Sequence, residues 1–251
     1  MDLAEALALD ARELMAFVGA GGKKTAMSAL ATDGHTDCRV GYTTTTHMPP
    51  PSELPLVVAS AGDLQTRLAG QSPVAFGAEW VENPERATRK LRGYEPPVLD
   101  DLFQAGGVER LLVKADGARQ RGFKAPAAHE PAIPEKTSLV VVVASVQVVG
   151  EALSEQVVHR PEQVAAITDL AVGDELTPAA VGTVLASPDG GLKRVPDESR
   201  VFAMINKADS ASQQATAREI LRTVAARSDR FSDGLVTSFR KDICSPFPMD
   251  S

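Results

Sequence analysis

Short apolar runs alternate along the chain with segments in which apolar residues recur at helical spacing. The apolar runs predict seven strands, at residues 14–18, 39–44, 56–59, 111–115, 139–144, 201–205 and 234–237. The segments between them predict seven helices, at residues 24–30, 62–68, 83–91, 98–104, 161–170, 178–185 and 210–226. Several strands are apolar throughout, which is typical of a parallel sheet that helices cover on both faces. The pattern therefore predicts an α/β fold with a mostly parallel, doubly wound sheet.

The chain of 251 residues carries no internal repeat and no break in composition, so we expect a single domain over residues 1–251. Two segments, 49–55 and 117–134, are rich in proline, glycine and charge and predict long loops. Long loops in compact domains often carry functional residues.

Composition narrows the classes of partner. The formal net charge is −7, which argues against a general nucleic-acid-binding protein because such a protein needs a basic face. Cys38 and Cys244 are far apart and outside any CxxC spacing, so we expect two small buried side chains and neither a disulfide framework nor a cysteine zinc site. The longest apolar run, 139–144, has the length of a strand, and the acidic N-terminus lacks a signal-peptide pattern. We therefore expect a cytoplasmic protein that binds neither nucleic acid nor membrane.

The first predicted strand runs into a glycine-rich turn and then into a helix. The segment reads Gly19-Ala20-Gly21-Gly22-Lys23-Lys24-Thr25-Ala26. Glycines allow backbone N–H groups to surround a polyphosphate, and the helix N-terminus adds the positive end of its dipole. A lysine neutralises phosphate charge and a hydroxyl binds Mg²⁺, as in the P-loop pattern GxxxxGK[ST]. The sequence therefore predicts a nucleotide-binding P-loop over these eight residues.

Two assignments of the P-loop lysine are compatible with the sequence. If Lys23 contacts the phosphates, Thr25 binds the metal one position late; if Lys24 does so, Lys23 occupies a glycine position. A simpler interpretation is an ordinary strand-to-helix turn with solvent-facing lysines, or a dinucleotide-type turn. The order of strand, loop and helix favours the phosphate interpretation, with Lys23 or Lys24 as the catalytic lysine.

Asp116 directly follows a buried strand and precedes Gly117. Carboxylates at the carboxyl edge of a parallel sheet face the ligand crevice, where they hold Mg²⁺ directly or through water. An Asp-Gly turn is the alternative. With a P-loop upstream, we interpret Asp116 as a catalytic residue and as a metal ligand together with Thr25.

A later strand ends in Asn206-Lys207-Ala208-Asp209, which resembles the NKxD guanine-specificity motif of GTPases. In that interpretation Asp209 accepts hydrogen bonds from guanine, Asn206 supports the specificity loop and contacts N7 of the base, and Lys207 lies along the ring. The alternative is that Asn206 and Asp209 only end a strand and cap the next helix. We expect GTP or ATP as the nucleotide, with guanine favoured.

The chain resembles the YqeC family over most of its length. The resemblance rests on the segments FVGAGGK at 17–23, YTTTTHM at 42–48, ADGAR at 115–119, KAP at 124–126, HEPAIP at 129–134, VHRPE at 158–162 and NK at 206–207. The usual family loop reads GAGGKT, so Lys24 is a departure. The resemblance implies an accessory protein for the maturation of selenium-dependent molybdenum hydroxylases, with a hydroxylase or its cofactor as partner.

Further polar residues are candidate substrate or switch residues. They are Thr45, Thr46, Arg119, Lys124, His129, Glu130, His159 and Arg160. The two threonines end a strand, where a switch would contact the γ-phosphate or Mg²⁺, although threonine is also an ordinary strand residue. The positive side chains are candidates for contacts with phosphate or an anionic substrate, and His129 and Glu130 for proton transfer. A solvated charged loop is the alternative.

Together these residues predict an Mg²⁺-dependent nucleotide-binding protein that hydrolyses GTP or ATP. One alternative moves the phosphoryl group to a small molecule, as a kinase or ligase-type enzyme does. The other is a nucleotide-gated cofactor chaperone that binds without turnover. The sequence identifies neither a general base nor an arginine finger, so we expect slow intrinsic turnover.

Overall fold

The chain folds into a layered α/β structure in which strands and helices alternate. The computed structural model describes residues 2–33, 38–83 and 88–249, without the side chains of Asn83 and Thr88. Its strands are β1 (Glu13–Gly19), β2 (Val40–Thr44), β3 (His47–Met48), β4 (Leu56–Val58), β5 (Val74–Gly77), β6 (Glu79–Asn83), β7 (Thr88–Arg92), β8 (Arg110–Lys114), β9 (Phe123–Lys124), β10 (Leu139–Ser145), β11 (Val158–His159), β12 (Arg200–Asn206), β13 (Asp233–Ser238) and β14 (Ile243–Pro248). Its helices are α1 (Leu3–Ala6), α2 (Lys23–Thr32), α3 (Leu64–Leu68), α4 (Pro96–Gln104), α5 (Pro161–Ile167), α6 (Pro178–Ala186) and α7 (Ala211–Arg227).

Nine of these strands form one central sheet in the order β14-β13-β12-β10-β1-β8-β2-β5-β4. Every neighbouring pair is parallel except β13 and β14, which are antiparallel. The fold is therefore α/β with a mostly parallel, P-loop-like sheet, as predicted. All seven predicted strands are present, with ends within one residue of the prediction.

Helices cover both faces of the sheet, which explains why its central strands are apolar throughout. On one face, Met15 and Phe17 of β1 pack with Met27 and Leu30 of α2. On the other face, side chains of β10 and β12 pack against α6 and α7. The core thus lies on both sides of β1 and holds the loop that follows β1 between two packed layers.

The helices follow from ordinary start signals in the sequence. Pro161 and Pro178 occupy first helical turns, where the missing N–H costs nothing. Ser210 caps α7 and forms a capping box with Gln213. Six of the seven predicted helices are present, with ends within three residues of the prediction.

The predicted helix at 83–91 is wrong. Asn83 ends β6 and β7 begins at Thr88, while residues 84–87 lie outside the described part of the chain. The two strands pair antiparallel, with Glu79 opposite Arg92, and they join β3 in a small three-stranded sheet. Leu91 points into the core and its charged neighbours point to solvent, so the charges that resemble a helix face are the outer face of a strand.

Two features at the margins complete the fold. The edge strand β14 contains Pro246 and Pro248 and was missed by the sequence pattern. Cys38 and Cys244 are free thiols, and both are half-buried rather than fully buried. Among the described residues, no helix is long and apolar enough to cross a membrane.

Candidate functional site

The loop that follows β1 has backbone conformations that require glycine. Gly19 and Gly21 have φ angles of +85° and +90°, in the left-handed region that side chains disfavour. A Cβ atom on Gly19 would lie 2.3 Å from the carbonyl oxygen of Val143, and one on Gly21 would lie 2.5 Å from the amide nitrogen of Ser145. The glycines therefore let the loop pass close against the end of β10 and enter α2 at Lys23.

The two loop lysines occupy different environments. Lys23 is buried, and its Nζ donates hydrogen bonds to the carbonyl oxygen of Gly19 and to Oδ1 of Asp116. Lys24 and Thr25 are exposed on the first turn of α2. Burial lowers the pKa of Lys23, against the opposing attraction of Asp116. The geometry places Lys23 inside the loop, and Lys24 on its solvent side.

Asp116 is the hub of this edge of the sheet. Its Oδ2 accepts a hydrogen bond from the backbone N–H of Gly19 at 2.9 Å and lies 3.0 Å from Nζ of Lys124. Burial alone would raise the pKa of Asp116, but the charges of Lys23 and Lys124 hold it below its usual value. The carboxylate is thus ionised, and it links the glycine-rich loop after β1 to the loop at 117–134.

Asn206 links the glycine loop to β12. Its Nδ2 donates to the carbonyl oxygen of Gly21 at 2.9 Å, and its Oδ1 accepts from the Thr237 hydroxyl at 3.1 Å. A Cβ atom on Gly22 would lie 2.1 Å from that same Nδ2. The residue is 4% exposed, so both the glycine and the amide are fitted to each other.

The two charged residues that follow Asn206 in the NKxD segment are partly or fully exposed, whereas Ala208 between them is buried. Lys207 is exposed and has a left-handed φ of +63°. The Asp209 carboxylate accepts a hydrogen bond from the Ser238 hydroxyl and lies 3.7 Å from Nη1 of Arg240. Its side chain is 20% exposed, so a carboxylate oxygen held by β13 faces the open side of this edge.

The loop at 117–134 contributes a second set of charges. Strand β9 within it pairs with β11, which sets Lys124 opposite His159. Lys124 donates to Oε2 of Glu130 at 2.7 Å, and Arg160 donates to the same oxygen at 2.7 Å. Burial would raise the pKa of Glu130, but the charge of Lys124 and the hydrogen bonds from both cations hold it at about 2.

Three sequence candidates lie around this cluster. Burial lowers the pKa of His159 to about 4, aided by the charges of Arg160 and Lys124, so the imidazole is neutral at physiological pH. Arg119 is exposed but close enough to contribute to that shift. The side chain of His129 is exposed, and its carbonyl oxygen accepts a hydrogen bond from Arg194. The structure therefore brings His159 to the cluster and leaves His129 on the surface.

The strand-end threonines form hydrogen bonds to neighbouring segments of the protein in this structure. The Thr45 hydroxyl donates to the carbonyl oxygen of Ala132 at 2.7 Å. The Thr46 hydroxyl accepts a hydrogen bond from Nζ of Lys114 at 2.8 Å and lies 3.1 Å from the Thr44 hydroxyl. Both side chains thus connect β2 to neighbouring segments.

Lys114 is a residue of this edge that the sequence analysis missed. It is 8% exposed, and its Nζ donates to Thr46 and to the carbonyl oxygen of His47. Burial lowers its pKa to about 7, with a further contribution from the charge of Lys23. The only sequence signal was a lysine within the apolar run at 111–115.

The charges of the cluster do not balance. Its cations are Lys23, Lys114, Lys124 and Arg160, and its carboxylates are Asp116 and Glu130. Below pH 7, where Lys114 is charged, four positive groups face two negative ones, and above pH 7 the buried Lys114 loses its charge. Electrostatic interactions are strong in such a mostly buried space. The arrangement is chemically suited to an anion.

The side chains at this edge of the sheet can be compared with the ligands that a metal ion requires. Oxygen ligands are the type that Mg²⁺ prefers, and Mg²⁺ commonly uses one or two protein ligands together with substrate phosphates and water. The described residues contain no group of three or more His, Cys, Asp or Glu side chains that could hold a metal ion. Both oxygens of Asp116 contact Lys23, Lys124 or Gly19, so the carboxylate fits Mg²⁺ through water rather than directly.

The fold and site together define an α/β protein whose glycine-rich loop, lysine and aspartate meet at the carboxyl edge of a mostly parallel sheet. The model of the YqeC protein family matches residues 15–162. The chain is also 32% identical over 215 residues to a protein of Escherichia coli (strain K12) named "Uncharacterized protein YqeC", covering 83% of this chain and 81% of the relative. The chain belongs to the YqeC family. No solved structure matches it.

Proposed function

We propose that this protein binds GTP or ATP with Mg²⁺ at residues 19–26 and hydrolyses it. The observation that carries the proposal is the contact of Lys23 with Asp116 across the ends of two adjacent strands. A cation and a carboxylate at this place are the two groups that a nucleotide site needs, one for phosphate and one for the metal. When bound, Mg²⁺ would neutralise developing phosphate charge, with Thr25 and Asp116 as its nearest protein groups.

The role of each further residue follows from its position. Lys23 would exchange its contacts with Gly19 and Asp116 for contacts with phosphate oxygens. The loop N–H groups at the start of α2, which has no side-chain cap, would add to them. Asn206 holds the loop in shape, and Asp209 is the candidate reader of the base. Binding energy thus comes from position and electrostatics rather than covalent chemistry.

Nucleotide binding is tested by thermal-shift titration with GTP and ATP, each with and without Mg²⁺. A ligand at about one hundred times its Kd adds roughly 2.7 kcal/mol to folding stability, which should raise the melting temperature by about 5–10 °C. We expect a Mg²⁺-dependent shift, larger for GTP than for ATP. A larger shift with ATP would reject the role of Asp209 but not the phosphate site, and no shift with either would reject the proposal.

Two adjacent lysines provide a matched pair of variants for the same titration. Lys23→Met removes the buried lysine and is expected to abolish the nucleotide shift, whereas Lys24→Met removes an exposed one and is expected to keep most of it. The reverse order would assign the phosphate contact to Lys24.

We further propose that nucleotide turnover serves the maturation of a selenium-dependent molybdenum hydroxylase, the role that the family resemblance implies. In cells that lack this protein, the hydroxylase is expected to be inactive, and the unmodified chain but not Lys23→Met should restore its activity. Full hydroxylase activity without the chain would contradict this role.

A further inference from the structure

Glu130 lies in a binding position that two cations from separate segments form. Its Oε2 is 2.7 Å from Nζ of Lys124 and 2.7 Å from Nη1 of Arg160. The glutamate side chain is 10% exposed, so the position is buried yet open at its rim. One carboxylate oxygen thus pairs with both cations, of which Lys124 is paired with Asp116 as well.

Lys124 is buried, and all three N–H donors of its ammonium group have a partner. Its Nζ contacts Glu130, the carbonyl oxygen of Gly117 at 2.7 Å, and Asp116 at 3.0 Å. Its side chain is 1% exposed, and an ammonium group has three donors. Lys124 therefore cannot turn away from this position, and an anion that replaces Glu130 would meet a fixed charge.

Arg160 is held in place by the backbone but has donors to spare. Its φ of +67° lies in the left-handed region, at the residue that precedes the proline-started α5. Its side chain is 22% exposed, and within the described ranges its guanidinium group contacts only Glu130 as a hydrogen-bond or ion-pair partner. A guanidinium with free N–H groups binds planar or tetrahedral oxyanions in a bidentate manner.

We infer that Glu130 occupies the place of an oxyanion group of a small-molecule ligand, which binds to Arg160 and Lys124 when the Glu130 side chain moves aside. The ligand class is a compound that carries a carboxylate or a phosphate. The site shares Asp116 with the P-loop segment, so this inference rests on the proposed function and supplies its second ligand: an anionic acceptor or effector beside the nucleotide.

The charges around the site favour this exchange. Arg119 adds a solvent-facing positive charge near His159. The cations of the cluster outnumber its carboxylates, so an incoming anion with more than one charge gains over Glu130. An internal carboxylate that is tethered next to the site competes at a high effective concentration, and its removal should tighten ligand binding.

The experiment measures the dissociation constants of inorganic phosphate and of succinate by isothermal titration calorimetry on the full chain without nucleotide. The variants are Glu130→Gln, Arg160→Gln, the double variant, and Arg194→Gln as a control that removes an exposed arginine beside the same loop. Glu130→Gln is expected to tighten binding of one of the two anions about tenfold, which corresponds to about 1.4 kcal/mol. The anion that responds identifies the chemical group of the ligand.

The double variant decides where the anion binds. If the gain is lost on adding Arg160→Gln, the anion lies between Arg160 and Lys124. If the gain persists, or if adding Arg194→Gln to Glu130→Gln abolishes it equally well, the anion binds elsewhere and the inference is wrong. Should Glu130→Gln fail to fold, Arg160→Gln alone decides, because unchanged affinity for both anions would overturn the inference.

Failure of this inference can be told apart from failure of the proposed function. The tighter anion binding of Glu130→Gln should survive in the Lys23→Met background, in which nucleotide binding is lost. A gain without any nucleotide binding in the unmodified chain would reject the nucleotide proposal alone. Nucleotide binding with no gain would reject the second site alone.

Discussion

Substitution of Asp116 by asparagine is expected to lower the free energy of unfolding by about 3–5 kcal/mol, because removing one partner of a buried ion pair leaves the other uncompensated. Here two partners, Lys23 and Lys124, lose their shared carboxylate. The amide keeps the volume of the side chain, so the change isolates the charge. Urea denaturation measures the effect, and Asp101→Asn on the exposed side of α4 is the matched control.

A second variant tests which buried charge causes this loss of folding stability. In the double variant Asp116→Asn with Lys23→Met, the buried charge of Lys23 is gone as well and Lys124 keeps its ion pair with Glu130, so part of the lost stability should return. If Asp116→Asn costs no more than the control, the carboxylate does not neutralise the buried lysines, and its assignment as the hub of the site is wrong.

The second large effect is expected at Lys114, where substitution by methionine should stabilise the protein. The folded protein holds the pKa of Lys114 at about 7, whereas an unfolded lysine titrates near about 10.4. Between these values the unfolded state binds more protons, so stability of the unmodified protein rises with pH. Below pH 7 the lysine is charged in both states, and the full cost of burying the charge is present.

Lys114→Met removes that cost but also the hydrogen bonds to Thr46 and His47. Apolar replacement of buried ionic groups ranges from neutral to a gain of about 1–4 kcal/mol, and we expect a net gain here. We expect the largest gain at or below pH 7 and a much flatter rise of stability between pH 7 and 9. Melting temperatures of both proteins at pH 6, 7, 8 and 9 measure it, with the exposed Lys136→Met as control. Equal slopes for the variant and the unmodified chain would show that Lys114 is not the group that titrates.

The sequence predicted the central sheet well because its strands carry their own signal. The apolar runs in β1 and β10 are buried throughout. A strand that is buried on both faces can be recognised from its own unbroken apolar sequence, without reference to the strand that pairs with it. Strands β6 and β7 lack that signal, since only one face is apolar and their charges pair across the hairpin as in Glu79 and Arg92. Periodicity alone could not separate those charges from the outer face of a helix.

The candidate site was predicted in part for a similar reason. The glycines at 19, 21 and 22 indicate an unusual backbone conformation from the sequence alone. Asp116 directly follows a predicted parallel strand, and such a strand places the residue after it at the carboxyl edge of the sheet. The burial of Lys114 depends on where the loop at 117–134 folds, which no local pattern reports. The contrast between Lys23 and Lys24 is likewise set by the direction in which each side chain leaves α2, one toward Asp116 and one toward solvent.

The two prolines of β14 have a consequence for assembly. Every residue of β14 has a partner in β13, and alternate residues of an antiparallel strand direct their backbone groups toward the partner and toward the open edge. Prolines within a sheet lie among the alternate residues that face the open edge. Two of those alternate residues are Pro246 and Pro248, which have no N–H to offer. An incoming strand from another molecule would find few donors along this margin, so continuous sheet growth and fibril-like stacking are blocked there. Edge-to-edge pairing of two copies of this protein through β14 is therefore disfavoured.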